Sequence, residues 1–122
     1  MARYEHTVRI NATPAEIWVA WQDIAAWPQW APTFQAAEPL GDGPFAIGKQ
    51  ARLNVLGAGE GIYTITILEE GRRFAWENDT RGVHAIADHI IEADGDSCTV
   101  TLRVEMSGIM SILFGFMIAR VT

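Results

Sequence analysis

Thr13-Pro14-Ala15-Glu16-Ile17-Trp18-Val19-Ala20-Trp21-Gln22-Asp23-Ile24-Ala25-Ala26-Trp27-Pro28-Gln29-Trp30 is the only stretch ahead of the C-terminal end that reads as helix, and it holds four of the five tryptophans. Thr13 and Glu16 have the spacing of a capping box, and Pro14 falls at the first helical position, where a missing N–H is harmless. Ile17, Trp18 and Trp21 follow at helical spacing and give the helix one strongly apolar face. Asp23 is placed to cap a second short helix through Ile24 and Trp27, which Pro28 and Pro32 keep from growing.

On either side of this stretch the period changes from helical to alternating. Tyr4, His6, Val8 and Ile10 alternate with Arg3, Glu5, Thr7 and Arg9, as in a half-buried first strand. Downstream, Phe34 to Pro39 forms a short second strand, and Gly41-Asp42-Gly43-Pro44 is a loop by composition. Ala51, Leu53 and Val55 alternate with Arg52 and Asn54 in a third, ended by Gly57-Ala58-Gly59. Ile62 to Leu68 is a fourth, with Thr64 and Thr66 on its wetter side and Tyr63, Ile65 and Ile67 expected inward. After Glu70-Gly71, a fifth turns Phe74 and Trp76 inward and Arg73, Ala75 and Glu77 outward.

Asn78 to Gly82 is the next turn. A long strand from Val83 to about Ala93 then places His84, Ile86, Asp88, Ile90 and Glu92 outward and Val83, Ala85, Ala87, His89 and Ile91 inward. Gly95-Asp96 closes a hairpin, after which Cys98, Val100, Leu102, Val104 and Met106 alternate with Thr99, Thr101, Arg103 and Glu105. Gly108 breaks this strand, and a helix is expected from near Ile109 to Thr122. Strands joined by short turns predict an antiparallel sheet, and one apolar face per strand predicts that it is covered on one side.

The totals exclude several classes. A chain of 122 residues is expected to fold as a single domain, 1–122. A net charge of −6, with Lys49 the sole lysine, argues against nucleic acid, which is bound through cations that neutralise phosphates. Cys98 is the sole cysteine, so no intrachain disulfide forms and a cytoplasmic location is expected. The N-terminus lacks the apolar centre of a secretory signal. The longest apolar run, Ile109 to Ala119, is 11 residues long, short of the about 20 that span a bilayer.

The segment Ala12-Thr13-Pro14-Ala15-Glu16-Ile17-Trp18 leading to Asp23, Trp27-Pro28 and Trp30, together with Gly48, Trp76, His89 and Thr99, resembles the polyketide cyclase/dehydrase branch of the START-like (SRPBCC) superfamily. The resemblance covers essentially the whole chain. It implies an α+β helix-grip fold: a curved antiparallel sheet of about seven strands, two short helices after the first strand, and a C-terminal helix. Family members usually end in a long helix across the mouth of the sheet, whereas the one expected here is short, either because the chain is truncated or because this protein makes do with a short helix. The superfamily spans lipid carriers, sensors, cyclases and chaperone regulators, so the resemblance implies a fold more narrowly than a function.

A sheet curled around a helix encloses a space whose size depends on the inward side chains. Ala85 and Ala87 fill little of it, while Tyr63, Phe74, Trp76 and Met106 line the remainder with apolar and aromatic surface suited to a hydrophobic ligand. The alternative is a core packed at ordinary density. Trp27 and Trp30, next to prolines, are expected to border an opening. His89 is the candidate polar group, able to hydrogen-bond a ligand or to move a proton in an aldol-type cyclisation or a dehydration, with an ordinary pKa of about 6.5. The alternative for His89 is a core histidine satisfied by Tyr63 or a main-chain carbonyl. His6 is expected inward, His84 in solvent, and Cys98 buried and inert.

The sequence contains no metal-binding spacing, phosphate loop or nucleophile elbow, so no cofactor and no metal are expected. Three functions are compatible with these residues. The first is binding or transport of a lipid, polyketide or aromatic metabolite. The second is a cofactor-free cyclase or dehydratase with His89 as general acid/base and Tyr63 as hydrogen-bond donor. The third is a protein-interaction module whose apolar groove pairs with another chain, as in a homodimer.

Overall fold

Each alternating segment forms a strand. The computed structural model describes residues 2–80 and 82–108, and the expected C-terminal helix lies outside them. The strands are β1 (Ala2–Ile10), β2 (Phe34–Leu40), β3 (Gln50–Val55), β4 (Gly59–Glu69), β5 (Arg73–Thr80), β6 (Val83–Asp94) and β7 (Ser97–Ser107). They make one antiparallel sheet in the order β1-β7-β6-β5-β4-β3-β2. Successive hairpins build β2 through β7, and β1 closes on β7 at the far edge.

This order places β1 and β2, neighbours in sequence, on opposite edges. Six gaps of about 4.8 Å would separate them by about 29 Å in a flat sheet. The link between them is α1 (Pro14–Gln22), a 3₁₀ turn (Ile24–Ala26) and α2 (Trp27–Trp30). This short helical link crosses the inner face of the curled sheet from edge to edge. Its start is fixed locally: Thr13 Oγ1 accepts from Glu16 N–H, and Glu16 Oε1 accepts from Thr13 N–H. Asp23, expected to cap the second helix, makes no side-chain capping bond; its carbonyl accepts from Ala26 N–H instead.

One strand departs from simple alternation. Ile65 pairs with Trp76, but Ile67 pairs with Ala75 and Leu68 with Phe74, so a bulge at Thr66 reverses the parity of the rest of the strand. Ile67, expected inward, therefore faces outward and is partly exposed, and Leu68 joins the core in its place. A second cross-strand device acts nearby. Asn78 Nδ2 donates to Ile62 O at 2.8 Å and Asn78 Oδ1 accepts from Thr80 Oγ1 at 3.0 Å, so both ends of the amide are engaged. Gly61 makes room for it, since a Cβ there would lie 2.7 Å from Asn78 Nδ2.

The outer face carries the charges. Arg73 grips Asp88 through Nε–Oδ1 at 2.9 Å and Nη2–Oδ2 at 2.8 Å, a bidentate pair whose carboxylate is nearly buried. Arg103 Nη2 donates to Glu5 at 3.2 Å, and Arg3 faces Glu105 at 3.6 Å. His84, expected in solvent, is instead half-buried between Glu77 (2.9 Å) and Asp79 (2.7 Å). The Asp79 hydrogen bond holds its pKa above the ordinary histidine value, with Glu77 adding to the effect and partial burial opposing it.

Candidate functional site: the inner face of the sheet

The register lays the candidate residues out in rows. Phe74, His89, Leu102 and His6 form one row across β5, β6, β7 and β1. The next runs Trp76, Ala87, Val104, Tyr4, and the one after it Asn78, Ala85, Met106, Ala2. The sheet thus brings Phe74, Trp76, Ala85, Ala87, His89 and Met106 onto one surface. Tyr63 joins them from β4, its ring 5.7 Å from that of Trp76.

The helices fill one half of this surface. Trp18 and Trp21 meet Phe74 at 6.3 and 5.3 Å between ring centres, and Trp27 meets Trp76 at 5.2 Å. Trp27 also donates its indole N–H to the Trp21 carbonyl at 3.1 Å, which ties α2 back to the end of α1. It is 1% exposed and belongs to the core. Its expected place at the rim is therefore wrong: the turn after α1 folds it under the helices, while Trp30, 51% exposed, takes the surface position.

His89 sits at the boundary of this aromatic cluster. Its ring stacks on Phe74 at 4.1 Å with an interplanar angle of 7°, and the edges of Trp21 and Trp76 stand against it at 5.5 and 5.9 Å. Desolvation pushes its pKa down to about 4, against weaker upward pulls from the Phe74 carbonyl, the Asp88 charge and the Ala87 carbonyl. The imidazole is therefore neutral at neutral pH. Among the described residues nothing hydrogen-bonds its Nδ1, which is sealed from solvent. Of the partners expected for His89, Tyr63 is not bonded to Nδ1, and the main chain acts on the ring through the upward pulls of the Phe74 and Ala87 carbonyls, while stacking on Phe74 fixes the ring plane. Burial raises the Tyr63 pKa, which keeps its phenol a proton donor.

The other half of the surface is apolar, and among the described residues no helix covers it. Leu102, next to His89 in its row, is 38% exposed and Val8 is 44% exposed. His6, expected inward, does stand on this face beside Leu102, but it is exposed. Below it, Val83, Ala85 and Met106 form a small buried cluster of their own, flanked by Ala2 and Val104 and separate from the tryptophan core. The expected lining is thus divided between two clusters, with Ala87 packed against the larger. Alternation points Val8 and Leu102 inward; the β6–β7 hairpin sets Leu102 opposite His89, and the β1–β7 pairing brings Val8, from the other end of the chain, opposite Val100 on the same face.

Other concave features lie elsewhere. An open depression of about 350 Å³ lies between Asp79, Thr80, Val83, His84 and Ser107, and one of about 480 Å³ between Pro14, Arg72, Ile91 and Glu92. Neither borders His89. Among the described residues no three histidine, cysteine or acidic side chains converge as metal ligands, and no helix is long and apolar enough to cross a membrane. Cys98 is buried, and desolvation, with the Glu16 charge adding to it, pushes its thiol pKa up.

The fold recurs in solved structures. A START superfamily protein from Mycobacterium smegmatis superposes with a TM-score of 0.75 at 16% identity, covering 99% of this chain and 89% of its own. The di-domain ARO/CYC BexL of the BE-7585A biosynthetic pathway gives 0.72 at 17% identity, covering 99% of this chain and 41% of its own. Norcoclaurine synthase from Thalictrum flavum, in complex with dopamine and hydroxybenzaldehyde, gives 0.70 at 16% identity, over 98% and 76% respectively. At these identities the likeness is one of fold. No curated protein matches the sequence. The model of the polyketide cyclase / dehydrase and lipid transport family matches residues 1–121, and with the START-like architecture of the sheet and helices it establishes that the chain belongs to that family.

Proposed function

We propose that the protein binds a hydrophobic small molecule, a lipid, polyketide or aromatic metabolite, on the inner face of the sheet where the open apolar strip meets His89. The observation that carries this reading is the row Phe74, His89, Leu102. Within it a fully buried aromatic, a neutral imidazole at the edge of the buried cluster and an exposed leucine stand side by side. An exposed apolar strip beside a few convergent polar groups is the usual composition of a ligand site. Tyr63, Trp76 and Ala87 on one side and Ala85 and Met106 on the other flank the strip, with Trp76, Ala85 and Met106 buried in the two clusters beside it.

Native mass spectrometry of the purified protein should show a co-purifying hydrophobic ligand. Thermal unfolding with a panel of lipids and aromatic metabolites should rise in midpoint, since a ligand at about 100 times its Kd adds about 2.7 kcal/mol to stability. No retained ligand and no shift across the panel would sink the reading.

A cofactor-free cyclase or dehydratase with His89 as general acid/base and Tyr63 as hydrogen-bond donor is the second reading, supported by the protonated Tyr63 phenol. It ranks second on magnitude. With a pKa of about 4, roughly one His89 ring in a thousand is protonated at pH 7, and efficient proton transfer favours a pKa near the working pH. If turnover of any substrate is found, His89→Ala should abolish it; full retained activity removes His89 from the chemistry.

A further inference from the structure

The two edges of the sheet are defended unequally. On β2, Pro39 lacks an N–H, a bulge breaks the register between Phe34 and Ala36, and the 3₁₀ turn and α2 pack against the strand. β1 carries none of these devices. It pairs with β7 from Ala2 to Ile10 without a register shift, contains no proline or lysine, and among the described residues has no strand on its other side. Every residue from Glu5 to Arg9 is exposed. Such an edge offers a row of main-chain donors and acceptors to another strand.

The side chains of β1 select the strand that fits. Laid antiparallel to a second copy of itself about a two-fold axis through Thr7, β1 pairs along its length from Tyr4 to Ile10. Glu5 then faces the partner's Arg9, Arg9 faces the partner's Glu5, and Thr7 meets the partner's Thr7. On the inner face Tyr4 meets the partner's Ile10, and His6 meets the partner's Val8, a residue 44% exposed in the single chain. The row Asp88, Arg103, Glu5 already alternates in sign, and the partner's Arg9 continues it. Within one chain Arg9 is backed by Asp94 at 3.3 Å and Glu5 by Arg103 at 3.2 Å, so each new pair extends an existing one. Neighbouring registers fit worse. An axis through His6 sets Arg3 against the partner's Arg9, one through Glu5 sets two glutamates together, and axes through Tyr4 or Val8 shorten the ladder.

We propose that β1 is a dimerisation edge, through which two copies of the chain join antiparallel, centred on Thr7, into one continuous sheet. The main-chain ladder supplies the affinity, and the two Glu5–Arg9 pairs, exposed and individually weak, set the register.

Sedimentation velocity of the full chain should show reversible dimer formation over about a hundredfold range of concentration. Thr7→Lys, at an exposed position, sets two lysines together on the axis and should weaken the dimer about fivefold. Thr7→Cys should form a disulfide-linked dimer in air, since facing residues of an antiparallel pair lie about 4.5–5.5 Å apart between Cα atoms. Arg3→Cys should not, because its two copies would stand about 27 Å apart along the strands. The native Cys98 is buried and leaves both readouts clear. A chain that stays monomeric throughout overturns the proposal. So does a dimer that Thr7→Lys leaves unweakened, or one that Arg3→Cys traps as readily as Thr7→Cys. Should Thr7→Lys fold poorly, the two cysteine variants decide.

Discussion

The two halves of the inner face are built from the same alternating pattern and end in opposite states. On β5, Phe74 is 0% exposed; on β7, Leu102, two strands away in the same row, is 38% exposed. Both are large, apolar and on the correct parity. The difference is cover: α1 and α2 deliver Trp18, Trp21 and Trp27 onto β5 and its neighbours, and none of these rings reaches Leu102 or Val8 closely enough to bury it. Alternation tells which face a residue is on; the path of the crossing helices tells whether that face is filled.

Truncation on each half breaks or confirms the contrast most directly. Trp27→Ala should lower stability by about 3–5 kcal/mol, the usual range for a buried tryptophan, whereas Leu102→Ala should cost less than about 1 kcal/mol. Urea unfolding of the two variants measures both, and similar losses would show that the strip is not open.

The boundary between the halves has a pH signature. The His89 pKa falls from about 6.5 in the unfolded chain to about 4 in the fold. Between these values the unfolded chain binds a proton that the folded one does not. Stability should therefore drop as pH falls from about 6.5 to about 4, by roughly 3 kcal/mol in all, and level off below. Unfolding curves across that window should flatten in His89→Phe. His84, on the outer face, acts with the opposite sign. Its pKa is raised by Asp79, so its contribution is complete below the unfolded value and fades as pH rises through the folded one. Its exposure keeps that contribution small.

The outer face sharpens the contrast further. Asp88→Asn removes half of a bidentate pair behind the filled half and should cost about 2 kcal/mol. Glu5→Gln, behind the open half, loosens an exposed pair and should cost less than about 1 kcal/mol. Smallest among the effects on the filled half, Thr13→Ala should cost about 1 kcal/mol by removing the cap of the covering helix. Equal losses at Asp88 and Glu5 in chemical denaturation would contradict the difference in burial.

Much of the fold is legible in the sequence because its signals are local. The Thr13–Glu16 box needs only four consecutive residues, and the strands announce themselves by alternation between glycine-containing turns. The candidate site is legible as a set of residues, with Phe74, Trp76, Ala85, Ala87, His89 and Met106 on the expected face. Ile67 escapes such a reading because its orientation depends on a bulge imposed by pairing with β5. Trp27 escapes it because adjacent prolines suggest a rim, whereas the 3₁₀ turn after Asp23 tucks its indole under α1. Asp23 itself has the right chemistry for a cap, but the backbone of the turn meets the same need without its side chain.

By itself the sequence determined an α+β chain with one capped helical crossing, an antiparallel sheet, charges confined to one parity and apolar residues to the other, since each of these depends on propensity and period within a few residues. Only the tertiary structure decided that β1 lies beside β7, that the tryptophans cover β5 and leave Leu102 and Val8 bare, and that His89 is pressed against Phe74. Those outcomes rest on which distant strands pair and where a short helical link must cross to join opposite edges, and no local pattern encodes either.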